Sequence, residues 1–410
     1  MRISSLRALA LLWLAAPAAV PALSLTPVDL DALGSAAQPN ITVDAGHGGY
    51  VLSWQARLDD GCAALQAAEL SADGQLGPVR EIERGCDWFV NWADFPALVV
   101  ADNGDWLSFW LHKIGSGGDA YEIRTRRSSD RGRSWSAALV PHRDGTASEH
   151  GFVSMAPAGG DRVLLLWLDG RASAGMRHAE HEHGGPMTLR SAILRRGNRI
   201  EAETLVDDSV CSCCSTDLAR RADGTHLALY RDRSAQEIRD IGVARRDRRG
   251  WRQDGLAHAD GWQISACPVN GPALAVGAAG ELALWPTMPD AEQLVLKARR
   301  LDREGPAVVV DAGAAVVGRV DAVAWGSAGF LLSWLGAGSA GGSALTLAHW
   351  DAKLDERARL TVTELPAGRD VGIPRLASRG TEAVLVWTEI TGPARPPAKA
   401  PARLRAVLIR

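Results

Sequence analysis

Cys211-Ser212-Cys213-Cys214 packs three thiols into one short run, and a fourth follows at Cys267. Thiolates are soft ligands, and close spacing of this kind suits copper(I) or zinc. The same thiols could also carry out redox exchange. The other two of the six cysteines, Cys62 and Cys86, are candidates for a disulfide. A bridge from Cys267 to one member of the run would still leave two thiols, because adjacent Cys213 and Cys214 pair poorly with each other. His178, His181 and His183 could add imidazole ligands, although a solvated polar loop is the simpler reading.

Charged groups form a second set. His142, Asp144, Glu149 and His150 lie close in sequence, Asp169 is followed by Arg171, and Arg231, Arg233, Glu237 and Arg239 precede Asn270. Guanidinium grips a carboxylate through two parallel hydrogen bonds, so an arginine cluster is an anion site. Asp232 and Asp240 could instead pair with the arginines and brace the loops, a role worth little energy.

A repeat positions these residues. Short β-rich runs ending in Trp recur at Trp54, Trp110, Trp167, Trp285, Trp334 and Trp387, with Tyr230 in the equivalent slot, at spacings of about 49 to 63 residues. Most follow a turn containing Gly or Asp, such as Asp102-Asn103-Gly104-Asp105, with another apolar strand before it. Periods of this length indicate propellers, whose blades are four-stranded antiparallel sheets. The fold class is therefore all-β: a single propeller, seven blades favoured and six possible. Counting strands outward from the axis, the Trp run is the second, and 122–127 and 189–194 are third strands. The last unit runs out after its third strand, and Leu25 to Leu30 could supply the missing outer strand and close the ring.

The bulk properties agree. The 410 residues carry a formal charge of -3 and are 46% hydrophobic, which excludes the basic excess of a nucleic-acid binder. Arg2 and Arg7 precede an uncharged apolar run from Leu9 to Ala16, followed by small-residue cleavage sites. This reads as a signal peptide over 1–22, with a propeller domain over 23–410. The apolar run is too short to span a bilayer and is followed by Pro17 and Pro21. The mature chain is expected to be exported, periplasmic or secreted, with no membrane span.

Ser128-Ser129-Asp130-Arg131-Gly132-Arg133-Ser134-Trp135 resembles the Asp-box of sialidases and related propellers. Asn91-Trp92-Ala93-Asp94-Phe95-Pro96, Trp167-Leu168-Asp169-Gly170-Arg171 and Cys267-Pro268-Val269-Asn270-Gly271-Pro272 are similar to phrases of a bacterial family of exported sialidase-like proteins, usually labelled exo-α-sialidase. The resemblance implies a propeller with Asp-boxes on its bottom face. The loops after second strands and the connections between blades then share the top face, and nearly all the chemistry-bearing residues fall there.

Three readings compete for that face. In the first, it binds an anionic glycan, possibly of sialic-acid type, or a protein partner, through His142, His150, Arg171, Arg231, Arg233, Arg239 and Asn270. In the second, Cys211, Cys213, Cys214 and Cys267 hold copper or zinc or act in redox. The third is sialidase hydrolysis, which the resemblance implies. Asp144 or Asp169 would be the acid, with Glu149 or Glu237 partnering a tyrosine nucleophile. Against hydrolysis, the early Arg-Ile-Pro phrase and the late nucleophilic tyrosine are missing: no Tyr follows Tyr230.

Overall fold

The structure, a computed structural model, describes residues 23–410 except 59, 116–119, 175–186, 290–291, 314–315, 328 and 394–399. The leader over 1–22 and the histidines at 178, 181 and 183 lie outside the described residues.

The described chain forms seven antiparallel sheets, each a blade. In the first blade Ala36–Asp44, Gly49–Arg57, Ala63–Leu70 and Arg80–Gly85 pair in order. Blade 2 has three full strands, and a minimal bridge between Thr125 and Leu139 stands in for the fourth. Blades 3 to 6 repeat the four-strand plan over 150–210, 217–256, 273–312 and 316–365. In blade 7, Arg375–Arg379, Glu382–Ile390 and Ala402–Ile409 are joined on the outside by Leu25–Val28, with Leu25 opposite Ile409. That pairing closes the ring from the two ends of the chain. The blade number is thus seven, and the third strands fall at Tyr121–Ser128 and Met187–Arg195.

Seven apolar clusters hold the ring together, and each is an interface between neighbouring blades rather than the centre of one. A strand buries alternate side chains on opposite faces, so a stacked blade feeds two such cores. The recurrent aromatic of the second strand is buried in every blade, from Trp54 through Tyr230 to Trp387.

Every blade junction also carries a polar clamp near the axis. Asn40 accepts the Leu98 N–H (3.1 Å), Asp94 that of Phe152 (2.8 Å), and Asp217 that of Leu274 (2.7 Å). Asn270 accepts the Arg319 N–H (3.1 Å), Asp321 that of Leu376 (2.7 Å), and Thr388 Oγ1 that of Gln38 (3.1 Å). Ser154 completes the circuit by donating to the Thr216 carbonyl (2.8 Å). Exposed inner-strand edges would otherwise leave buried N–H groups unpaired, which is costly.

The turn over 128–135 is built locally. Ser128 Oγ donates to Asp130 (2.8 Å) and accepts the Gly132 N–H (2.8 Å), while Asp130 accepts the Ser134 N–H (2.9 Å). Gly132 has φ 79°, and a Cβ there would sit 3.0 Å from the Trp106 ring. Trp135 tilts against that same ring at 6.5 Å between centroids.

Candidate functional site

One face of the ring holds a cavity of about 920 Å³. Its wall comes from connections between blades (Phe89 to Ala93, Ser148 and Glu149, Ser212 and Cys213, Ser265 to Val269, Arg369) and from loops after second strands (Gly170 and Ser173, Arg233 and Arg239). These are the two loop classes that the repeat assigns to one face. Among the residues singled out in the sequence, Glu149, Arg233, Arg239, Cys213 and Cys267 line it.

Arg233 and Arg239 are held in place from behind. Glu237 accepts from both, at 2.6 Å from Arg233 and 2.8 Å from Arg239, and the pair keeps its carboxyl below the usual range. Glu237 itself is absent from the cavity wall. In the structure it holds two guanidiniums in place. Arg239 also points Nη1 at Cys211 Sγ, 3.4 Å away.

The thiols gather as the sequence suggested. Cys211 Sγ lies 3.7 Å from Cys213 Sγ and 3.3 Å from Cys214 Sγ. Cys211 and Cys214 are buried behind the wall, Cys213 is half-buried, and Cys267 is exposed with its sulfur 4.0 Å from Ser212 Oγ. Hydrogen bonds from the neighbouring thiols, with Arg239 adding its charge, hold Cys211 well below the ordinary thiol range. Cys267 is drawn down to about 7, chiefly by Cys213. Cys62 and Cys86 form a disulfide.

Several candidates turn out to brace the wall rather than face the cavity, and none of the following lines it. Arg231 is 1% exposed and donates to the carbonyls of Asn270, Arg239 and Pro286 at 2.6 to 3.0 Å, with its guanidinium 4.7 Å from the Trp262 ring centre. Four of its five N–H donors are thereby taken by backbone carbonyls. Asn270 is the clamp between blades 5 and 6. Asp169 receives Arg171 bidentately at 2.7 Å and Trp167 Nε1 at 2.8 Å. Arg171 also reaches Glu203 at 2.7 Å.

His142 and His150 stack in parallel 3.7 Å apart. His142 Nδ1 stands 3.0 Å and His150 Nε2 3.2 Å from Asp144 Oδ1. Burial, with His150 stacked beside it, pushes His142 below the ordinary imidazole range. Burial opposes ionisation of Asp144 and Asp169, yet hydrogen bonds and adjacent cations win, and both carboxyls stay below the usual range. Neither of these two carboxyls lines the cavity. His142, Asp144 and His150 do place metal-type donor atoms within 4.8 Å of one another. Arg171 Nη2, 3.5 Å from Asp144, already puts a cation there.

The sequence reading placed Arg369 among the charged residues of this face but did not single out Phe89, Trp92 and Tyr121 as wall residues. Trp92 had a visible signal: the repeat Trp residues end second strands, whereas this one sits in a connection between blades. Arg319 packs 4.4 Å above its ring and is itself tied to the Gly368 and Gly372 carbonyls. Tyr121 stacks on Phe89 at 4.1 Å and donates to Asp94 at 3.3 Å. Burial and these carboxylates drive its phenol far above the ordinary range, the opposite of what a nucleophile needs.

No protein-family model and no curated protein matches the chain. Solved structures do. A protein of unknown function from Dyadobacter fermentans is 14% identical over 95% of this chain and 100% of its own, with a TM-score of 0.51. A Hadza microbial sialidase is 14% identical over 79% of this chain and 70% of its own, at a TM-score of 0.48. Trypanosoma rangeli sialidase is 10% identical over 83% of this chain and 57% of its own, at 0.46. At such identities the likeness is one of fold alone: the chain is an all-β, seven-bladed propeller, and it is similar in architecture to the Dyadobacter fermentans protein.

Proposed function

We propose that this chain is a binding propeller that takes an anionic sugar, of the sialic-acid class, into the top-face cavity. The observation that carries the reading is a cavity of about 920 Å³ lined by three guanidiniums, Arg233, Arg239 and Arg369, together with Trp92. A carboxylate is recognised by paired N–H donors, and an indole offers the apolar faces of a sugar ring a flat surface. Seryl hydroxyls at 148, 173, 212 and 265 and the Asn91 amide add polar contacts around the same wall. The reading is of binding without turnover. Of the carboxylates considered for proton transfer, Asp144 and Asp169 lie behind the wall as braced anions, and the wall tyrosine is held protonated. The Cys62–Cys86 disulfide supports an oxidising, extracytoplasmic setting.

Titration calorimetry with 3′-sialyllactose and with lactose tests this. The charged sugar should bind and the neutral one should not. Arg369→Ala should weaken binding roughly tenfold or more, the worth of one charge-assisted hydrogen bond. A fluorogenic sialoside should stay intact. Equal binding of lactose, or no binding of either sugar, would overturn the reading.

A further inference from the structure

The sugar reading assigns no role to the four cysteines outside the disulfide, two of which, Cys213 and Cys267, line the same cavity. We propose that Cys211, Cys213 and Cys214 together bind one copper(I) ion as thiolates, with Cys267 covering the ion from the cavity side.

Geometry is the first ground. The three sulfurs lie within 4.8 Å of one another, with separations of 3.3 and 3.7 Å from Cys211. Thiolates sharing one ion at about 2.3 Å stand about 3.8–4 Å apart, so the Cys211–Cys214 pair needs to open by roughly 0.5–0.7 Å. The run that carries them is fixed at both ends. The Cys211 N–H donates to the Arg231 carbonyl (2.9 Å), and Asp217 clamps the next blade.

Charge is the second ground, and it is separate from the first. Arg231 is buried, and its described hydrogen bonds all go to carbonyls. Among the described residues no carboxylate lies within ion-pairing distance of it. Buried charges are normally paired, because an uncompensated one is expensive. Arg239, 6% exposed in its side chain, shares the single carboxylate of Glu237 with Arg233. Two guanidiniums therefore share one carboxylate and a third has none within ion-pairing distance, so positive charge is locally in excess beside the thiol run. Three thiolates around a monovalent copper ion carry two negative charges and offset it. Neutral thiols would leave the excess standing.

The ligand set selects the ion. Sulfur-only donors favour copper(I) over harder cations. Two adjacent residues, Cys213 and Cys214, suit the two- or three-coordinate geometry that copper(I) accepts better than a closed tetrahedron. Binding exchanges three S–H protons, released to water, for three S–Cu bonds. No electron is transferred when the ion arrives as copper(I). Cys213 and Cys267 on the cavity wall give it a way in.

The test is anaerobic transfer from the coloured copper(I)–bicinchoninate complex to the reduced full-length chain. About one ion per chain should transfer, and X-ray absorption should show a shell of sulfur alone. Replacing Cys211, Cys213 and Cys214 together by Ser should abolish transfer. Arg239→Gln should weaken it roughly 10- to 100-fold, as for a group that acts behind the ligands. Cys213→Ser alone, at the half-buried position, guards against a triple variant that fails to fold, and should also lose most of the transfer. Sialyllactose titration of Cys214→Ser, at a buried position behind the wall, keeps the two proposals distinguishable, since sugar binding should survive that change while copper(I) transfer falls. Failure of the wild-type chain to take copper(I), undiminished transfer to the Ser variants, or zinc(II) held so that copper(I) does not displace it would each overturn the assignment.

Discussion

Asp94 shows how one residue's environment sets its chemistry. It is buried at the junction of blades 2 and 3, and desolvation raises its carboxyl to about 7 despite the Phe152 N–H and the Tyr121 hydroxyl. Burial lifts Asp217, at another junction, to about 6. A folded-state value above the unfolded one means that the neutral carboxyl is favoured on folding. Its stabilisation is complete below about pH 4 and fades as pH rises through about 7. Denaturant unfolding at pH 5 and pH 8 should therefore show a weaker fold at pH 8. Asp94→Asn keeps the acceptor without the charge, and should gain roughly 1–4 kcal/mol at pH 8 and little at pH 5. A loss at both values would mean that the junction needs the carboxylate. None of this was legible in the sequence, where Asp94 is one letter of a phrase. Arg231 and Asn270 were misread for a related reason: residue type announces an anion-binder or a polar contact, but only burial decides whether its donors are already taken. Arg231→Met should cost roughly 3 kcal/mol or more by stranding buried carbonyls.

At the scale of the element, the second strand was the most readable part of the chain. Its aromatic recurs because every blade must fill the same wedge between neighbours, and a packing demand that repeats leaves a period in the sequence. The bends that aim the site leave no such period. Blades 1, 3 and 6 each carry a register shift, with Gln38 (φ 48°), Phe152 (φ 51°) and Arg319 (φ 54°) left-handed in the inner strand. Bulges of this kind re-aim neighbouring side chains, and here non-glycine residues adopt them. Two tryptophans separate the packing and site roles. Trp334 is fully buried and donates to Asp311 at 2.8 Å, so Trp334→Ala should cost roughly 3–5 kcal/mol in thermal or denaturant unfolding. Trp92 sits in a connection on the cavity wall, and Trp92→Ala should weaken sugar binding while leaving the melting curve near wild type.

For the whole molecule, the repeat gave the fold class and the face on which chemistry collects, because those follow from topology. It did not distinguish the wall from what lies behind it, since both come from the same loops. The ring also has a seam. Leu25–Val28 pairs with Ala402–Ile409, and Ser24 and Arg410 exchange backbone hydrogen bonds at 2.9 and 3.1 Å. A growing chain cannot make that pairing. At roughly 5–20 residues per second, the early blades wait on the order of half a minute or more for their last neighbour to be made. During that interval the apolar cluster shared by blades 1 and 7 lacks a third of its buried members, and the Leu25–Val28 strand has no partner. The ring therefore cannot close before the strand over 402–409 exists, and until the two strands meet the seam between blades 7 and 1 is its point of greatest exposure to aggregation and proteolysis.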